Sequence, residues 1–147
     1  MKKTFEWKDE RGCGYCTIKY RGETFVGVAV CHAEDMDFMS ERTGLFIAET
    51  RATIKLLKYI KKYELKPELK SLKYVYNVMT SNKNFDSKST EARIMRKHIH
   101  MKEDEIEEIN SYIKNRVEYL QEYINGKDDF YKKIRAARAK DSADKNN

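Results

Sequence analysis

The chain has 147 residues, enough for one domain, with 40% apolar and 37% charged side chains, so its core is modest and built largely from one-sided helices. No stretch approaches the roughly 18 consecutive apolar residues of a membrane span, and Met1-Lys2-Lys3 leads into no apolar run of the kind a secretory signal needs, so a cytoplasmic protein is expected. Three cysteines, Cys13, Cys16 and Cys31, are an odd number, which argues against a disulfide framework, and the net charge of +6 points toward anionic partners.

Phe5 and Trp7, two apart, permit a short first strand. Tyr15 to Tyr20 and Thr24 to Cys31 alternate, and Arg21-Gly22-Glu23 between them supplies the glycine of a tight turn, so a β-hairpin is predicted. The expected pairing sets Cys16, Ile18 and Tyr20 against Val26, Val28 and Val30, with Phe25, Gly27 and Ala29 on the opposite face. His32 to Phe38 reads as an acidic loop. Ser40, or Thr43 as a second choice, caps a helix to about Tyr63, with a basic stripe of Arg51, Lys55, Lys58 and Lys62.

Pro67 fits the first turn of the next helix, through Met79, although Leu72-Tyr74-Tyr76-Val78 also permits a strand. Residues 81–89 read as a polar loop. Ser89 or Thr90 caps a short helix through His100, and a longer one runs from about Lys102 to Asn125 along Ile106, Ile109, Ile113, Val117, Leu120 and Ile124. Gly126 is its expected C-cap, and Asp128 or Asp129 opens a last helix. The fold class is therefore α+β and mainly helical: an N-terminal antiparallel β-hairpin or small sheet, then four or five helices, one of them long and C-terminal. A single domain over residues 1–140 and a disordered tail over 141–147 are expected.

Charge is unevenly spread: residues 51–100 carry a net +9, residues 1–50 a net −2 and residues 101–125 a net −4. Such a field suits nucleic acid, nucleotides or phosphorylated metabolites, although a solvated lysine-rich surface has the same composition. The CxxC of Cys13 and Cys16, followed by Cys31-His32, invites a zinc or redox reading. It precedes a strand rather than a helix, and adjacent Cys-His side chains diverge across a strand, so no metal is expected. His98 and His100 point to different helix faces, and the acids beside His32 read as solvated or as helix caps. No catalytic motif occurs, so neither an enzyme nor a cofactor is expected. The loop before the third predicted helix is more suggestive. Asn84 offers polar contacts to a base or ribose, Phe85 a stacking ring, and Arg93 and Arg96 guanidinium groups that grip phosphate oxygens in bidentate fashion. A polar loop whose phenylalanine folds back into the core fits the same residues. Arg51 is a further candidate.

One set of residues resembles a known family. It comprises Gly27-x-Ala29-x-Cys31, Asp35, Ser40-Glu41-x-x-Gly44-x-x-x-Ala48-x-x-Arg51-Ala52-x-x-Lys55, Tyr76-Asn77, Asn84-Phe85, Glu91-x-Arg93-x-x-Arg96 and Lys102-Glu103-Asp104-Glu105-Ile106. Over residues 14–125 the chain looks like the phage Thoeris anti-defence sponge proteins of type 1. The resemblance implies a bacteriophage protein, acting in the cytoplasm of the infected bacterial host, that sequesters glycocyclic ADP-ribose made by a TIR-domain enzyme. It also implies cyclic nucleotide binding more broadly, with cyclic oligonucleotides as a second ligand in some relatives, and a homodimer or a multiple of it. Binding is expected to leave the ligand uncleaved. The alternatives are a nucleic-acid-binding protein, for which the hairpin and first helix faintly resemble a double-stranded RNA-binding domain, and an inhibitor of a host protein.

Overall fold

A computed structural model describes residues 1–31 and 40–145, and its hairpin turns on two residues. Arg21 and Gly22 both hold left-handed backbone angles, φ 48° and 80°, the pair of positive values that a type I′ turn needs. Tyr20 at the end of β2 (Cys13–Tyr20) therefore pairs with Glu23 at the start of β3 (Glu23–Val30). From that turn the register follows, with Ile18 opposite Phe25, Cys16 opposite Gly27 and Gly14 opposite Ala29. The expected pairing of Cys16 and Ile18 with the valines is corrected. It assumed a three-residue tip, and a tip one residue shorter moves every partner to the other face. The valines consequently lie on the outer face, where Val30 is 68% exposed, while Cys16 and Ile18 are fully buried with Ala29 beside them.

Strand β1 (Lys2–Lys8) pairs antiparallel with β2, giving the order β1-β2-β3, with Phe5 opposite Cys16 and Trp7 opposite Gly14. The expected acidic loop at His32–Phe38 lies outside the described residues. Helix α1 (Glu41–Ile60) starts where Ser40 caps it: the Ser40 hydroxyl accepts the Thr43 N–H at 3.3 Å, and its carbonyl accepts the Gly44 N–H at 2.9 Å. The helix lies against the sheet at Gly27. A Cβ there would fall 1.9 Å from the Ala48 carbonyl oxygen and 2.5 Å from the Ala52 nitrogen. Only glycine on the strand, with alanines fully buried on the helix, permits this approach, which closes the core over Cys16 and Ile18.

Beyond α1, a π turn (Lys61–Leu65) leads into α2 (Lys66–Thr80) without a break. The Lys66 N–H reaches back five residues to the Lys61 carbonyl. This wider turn carries the helix past Pro67, which lacks the N–H of a regular turn. The strand alternative for residues 72–78 is thereby settled as helix. After the loop, Ser89 caps α3 (Thr90–Lys145), its hydroxyl accepting the Ala92 N–H at 3.2 Å.

The expectation of four or five helices is corrected. The last three predicted helices are one, because nothing at Met101-Lys102 breaks a helix and an internal glycine such as Gly126 costs only about 1 kcal/mol relative to alanine. The helix continues through Lys145, into the segment expected as a disordered tail. Among the described residues no helix is long and apolar enough to cross a membrane.

The chain divides into two compact units, Met1–Lys55 with Asn115–Asn147, and Leu56–Lys114. In the first, the Phe46 ring packs on Tyr123 and Tyr119, with centroids 5.2 and 6.3 Å away. In the second, polar contacts tie the helices: Lys61 to Asn110 at 2.8 Å, and Lys102 to Glu68 at 2.7 Å.

Candidate ligand-binding site

Helical spacing gives the first unit two faces that meet at one end of its sheet. On α1 and its cap, Ser40, Thr43, Gly44, Ile47 and Arg51 fall on one side. On α3, Ile124, Lys127, Asp128 and Tyr131 do the same. With Trp7, Ala29, Val30 and Cys31 from the sheet end, they line a half-open cavity of about 470 Å³. That lies within the roughly 300–1,000 Å³ range of small-molecule pockets.

Each wall has a physical cause. The indole N–H of Trp7 donates to the Asp9 carboxylate, so its donor is committed and its ring is what remains for a ligand. The ring lies against Gly44, where a Cβ would come within 2.5 Å of it. Arg51 donates from Nη1 to the Val28 carbonyl at 2.7 Å, and Lys55 from Nζ to the Val26 carbonyl at 2.6 Å. Both cations thereby cover outward carbonyls of the edge strand. The backbone contact also fixes the Arg51 guanidinium, whose other donors make no hydrogen bond among the described residues.

Lys127 lies 5.7 Å from the centre of the Tyr123 ring. Burial raises the Tyr131 pKa above its ordinary value, with smaller contributions from Cys31, Tyr123 and Asp128. Burial likewise pushes the Cys31 thiol up, followed by the influence of Cys13. Among the described residues, the cavity wall at neutral pH thus includes a phenol and a thiol, both protonated, together with Arg51, Lys127 and Asp128.

Four of the sequence-predicted site residues lie in the second unit. Phe85 meets Tyr76 edge-to-face at 6.1 Å. Arg96 donates to the Tyr76 hydroxyl at 3.2 Å and to the Ser87 carbonyl at 2.8 Å, so Tyr76 brings Phe85 and Arg96 together around the loop. The Asn84 N–H donates to the Asn82 side chain at 3.0 Å, while its own side chain is exposed. Arg93 is exposed, and its side chain has no hydrogen bond or ion pair among the described residues. Arg51 belongs to the first unit.

Sequence reasoning missed Trp7, Lys127, Asp128 and Tyr131. The signal for the last three was the helical spacing from Ile124, hidden when a helix end was placed at Gly126. The three cysteines are free thiols, and Cys13 and Cys16 fall on opposite faces of β2 because they are an odd number of residues apart. Among the described residues no group of three or more His, Cys, Asp or Glu side chains could hold a metal ion. No family model, curated protein or solved structure matches the chain.

Proposed function

We propose that the protein captures a phosphate-bearing, nucleotide-like ligand in the cavity of its first unit and holds it unreacted. The observation that carries this reading is the Arg51 guanidinium, fixed by the Val28 carbonyl beside a cavity that also holds Lys127 and the rings of Trp7 and Tyr131. Two cations suit phosphates, and two aromatic walls suit a base. A preformed site keeps the ordering cost of binding low, which a sequestering protein requires. The resemblance supplies the biological setting: a phage anti-defence sponge that removes glycocyclic ADP-ribose, and so blocks Thoeris-type defence. Arg93, exposed and uncommitted on the second unit, is a further phosphate-contacting candidate. A homodimer belongs to the same proposal; Ile94 and Met101 on α3, 51% and 52% exposed, are apolar groups such an association would cover.

The test is calorimetry with glycocyclic ADP-ribose on the parent and on the Arg51→Ala and Lys127→Ala variants. The ligand is then recovered by heat denaturation and weighed by mass spectrometry. Binding that weakens in both variants, with intact ligand returned in stoichiometric amount, supports the reading. Unchanged binding in both removes the cavity from it, and product released beyond stoichiometry makes the protein an enzyme.

A further inference from the structure

We infer that the second unit carries a docking track for single-stranded nucleic acid: a stripe of lysines along the end of α1, the π turn and α2, flanked by exposed tyrosines. The inference concerns residues 56–114 alone and stands whether or not the cavity of the first unit binds a ligand.

Lys58, Lys62, Lys66, Lys70 and Lys73 follow one another at steps of four, four, four and three residues, and all five are exposed. In a regular helix of about 3.6 residues per turn, three steps of four carry such a row about a third of a turn around the axis. The step from Lys62 to Lys66 crosses the π turn at Lys61–Leu65, where more residues make each turn, and this offsets the drift. The lysines therefore share one face over roughly 20 Å. The two acids of the same stretch, Glu64 and Glu68, each stand two residues from the nearest stripe lysines, which points them away from the stripe. Glu68 is moreover held by Lys102 of α3 at 2.7 Å. Lys58, Lys62, Lys66 and Lys70 make no hydrogen bond or ion pair among the described residues, and Lys73 meets Glu103 only at 3.9 Å.

Such a face repels a second copy of itself and attracts a polyanion. Tyr59, Tyr63 and Tyr74 each follow a stripe lysine by one residue, so they form a second row beside it. Tyr63 and Tyr74 are 58% and 70% exposed. The Tyr63 ring has the Lys62 amine 5.1 Å from its centre and the Tyr59 ring 4.9 Å away. Cations beside exposed rings match a phosphodiester chain with unpaired bases, because phosphates meet lysines and bases find rings to stack on. In a duplex the bases already stack on one another, and the tyrosines contribute nothing. A membrane surface fits less well. An interfacial helix buries Trp, Phe or Leu in lipid, whereas here Leu65 is buried and Leu69, Leu72 and Met79 are half-buried.

The experiment follows the fluorescence anisotropy of labelled oligothymidylate and oligouridylate, each about 15 nucleotides long, titrated with the full chain. The two probes tell DNA from RNA as the source of the strand. Five phosphate contacts imply an affinity that falls about a hundredfold between about 50 and 200 mM salt. The triple variant Lys62→Gln/Lys66→Gln/Lys70→Gln keeps good helix formers, and circular dichroism checks its fold. It should bind about tenfold or more weakly at the lower salt and lose less than about tenfold over the same range. Tyr74→Ala should weaken binding about tenfold with the salt dependence unchanged. Lys127→Ala, in the cavity of the first unit, should bind both probes like the parent. A parent that binds neither probe at the lower salt overturns the inference, as does a triple variant with the parent's affinity and salt dependence. Loss of binding in Lys127→Ala with the triple variant unaffected assigns the strand to the cavity and overturns it too. Equal competition by a duplex of the same length or by polyglutamate removes the role of the tyrosines and overturns the single strand as occupant. Tighter binding to phosphatidylserine vesicles than to either probe assigns the face to a membrane instead.

Discussion

The Arg51 guanidinium and the Val28 carbonyl are 2.7 Å apart, and that contact gives one side chain two tasks. It covers the open edge of β3 and holds a charged fork at the cavity wall. Arg51→Ala is therefore expected to act twice. Ligand affinity should fall roughly ten- to a hundredfold, as losing a charge-assisted hydrogen bond worth about 1.5–3 kcal/mol implies. Stability should fall by about 1 kcal/mol for the lost contact to the strand. Arg51→Lys keeps the charge and loses the planar fork, so it should recover stability better than affinity. Calorimetry and urea denaturation separate the two effects; a variant that binds as tightly as the parent excludes Arg51 from the site.

Trp7 is the single tryptophan of the chain, which makes its fluorescence a reporter of the cavity. A ligand that stacks in the cavity should change the emission and saturate with the affinity seen by calorimetry. Gly44→Ala places a methyl group 2.5 Å from the ring, so the ring must turn away. Emission of the free variant should shift, and binding should weaken about three- to tenfold, the scale of one lost aromatic contact of about 0.5–1.5 kcal/mol. An unshifted spectrum with unchanged affinity would show that Trp7 forms no part of the binding wall.

The hairpin, the Ser40 and Ser89 caps and the helical character of the rest were legible in the sequence, because alternation, cap residues and apolar spacing are local signals. The register was not. One residue more or less at Arg21-Gly22-Glu23 turns the faces of one strand over relative to the other, and the valines of β3 favoured the wrong choice. What decides the matter is non-local: Gly27 lets the Ala48 and Ala52 backbone approach, so the face with the smaller side chains is the packed one. The wall of the candidate cavity was legible only in part. Arg51 stood out by charge, but its strand partner depends on how α1 lies on β3. Tyr131 and Asp128 fell beyond a helix end that Gly126 signalled and the chain does not make.

Alkaline pH should destabilise the fold through three acids that burial holds protonated in whole or in part. The pKa of Cys16 is raised from its ordinary value of 9.0 by burial, then by Glu49, with Lys3 opposing. The Cys31 and Tyr131 pKa values are raised as well, both chiefly by burial. The native state holds these protons at a pH where the unfolded chain has released them, so the slope of stability against pH is negative there. The contribution is fully present below the unfolded thiol value of 9.0 and is lost as pH rises through the higher folded values. Urea midpoints should therefore drop above pH 9, and Cys16→Ala should flatten the fall without abolishing it. A slope in Cys16→Ala equal to the parent's would assign the alkaline loss to other groups.

Arg93 and Arg96 look equivalent in the sequence, three residues apart on one helix, and the structure separates them. Arg96 spends two donors on the Tyr76 hydroxyl and the Ser87 carbonyl. Through Tyr76 it also supports Phe85, whose ring meets the Tyr76 ring edge-to-face. Arg96→Ala should therefore loosen residues 81–89, cost about 1–3 kcal/mol in stability and raise amide hydrogen exchange in that loop. Any loss of ligand affinity in that variant is ambiguous, because the fold changes with it. Arg93 has no such partner among the described residues, and its replacement by alanine, a better helix former, should leave the melting temperature within a degree or two. Arg93→Ala is thus the clean probe of the second unit. If its guanidinium takes a ligand phosphate, affinity for glycocyclic ADP-ribose falls roughly tenfold at unchanged stability. If Arg93→Ala binds like the parent while Arg51→Ala does not, ligand recognition belongs to the first unit, and Asn84, Phe85 and Arg96 serve the loop rather than the ligand.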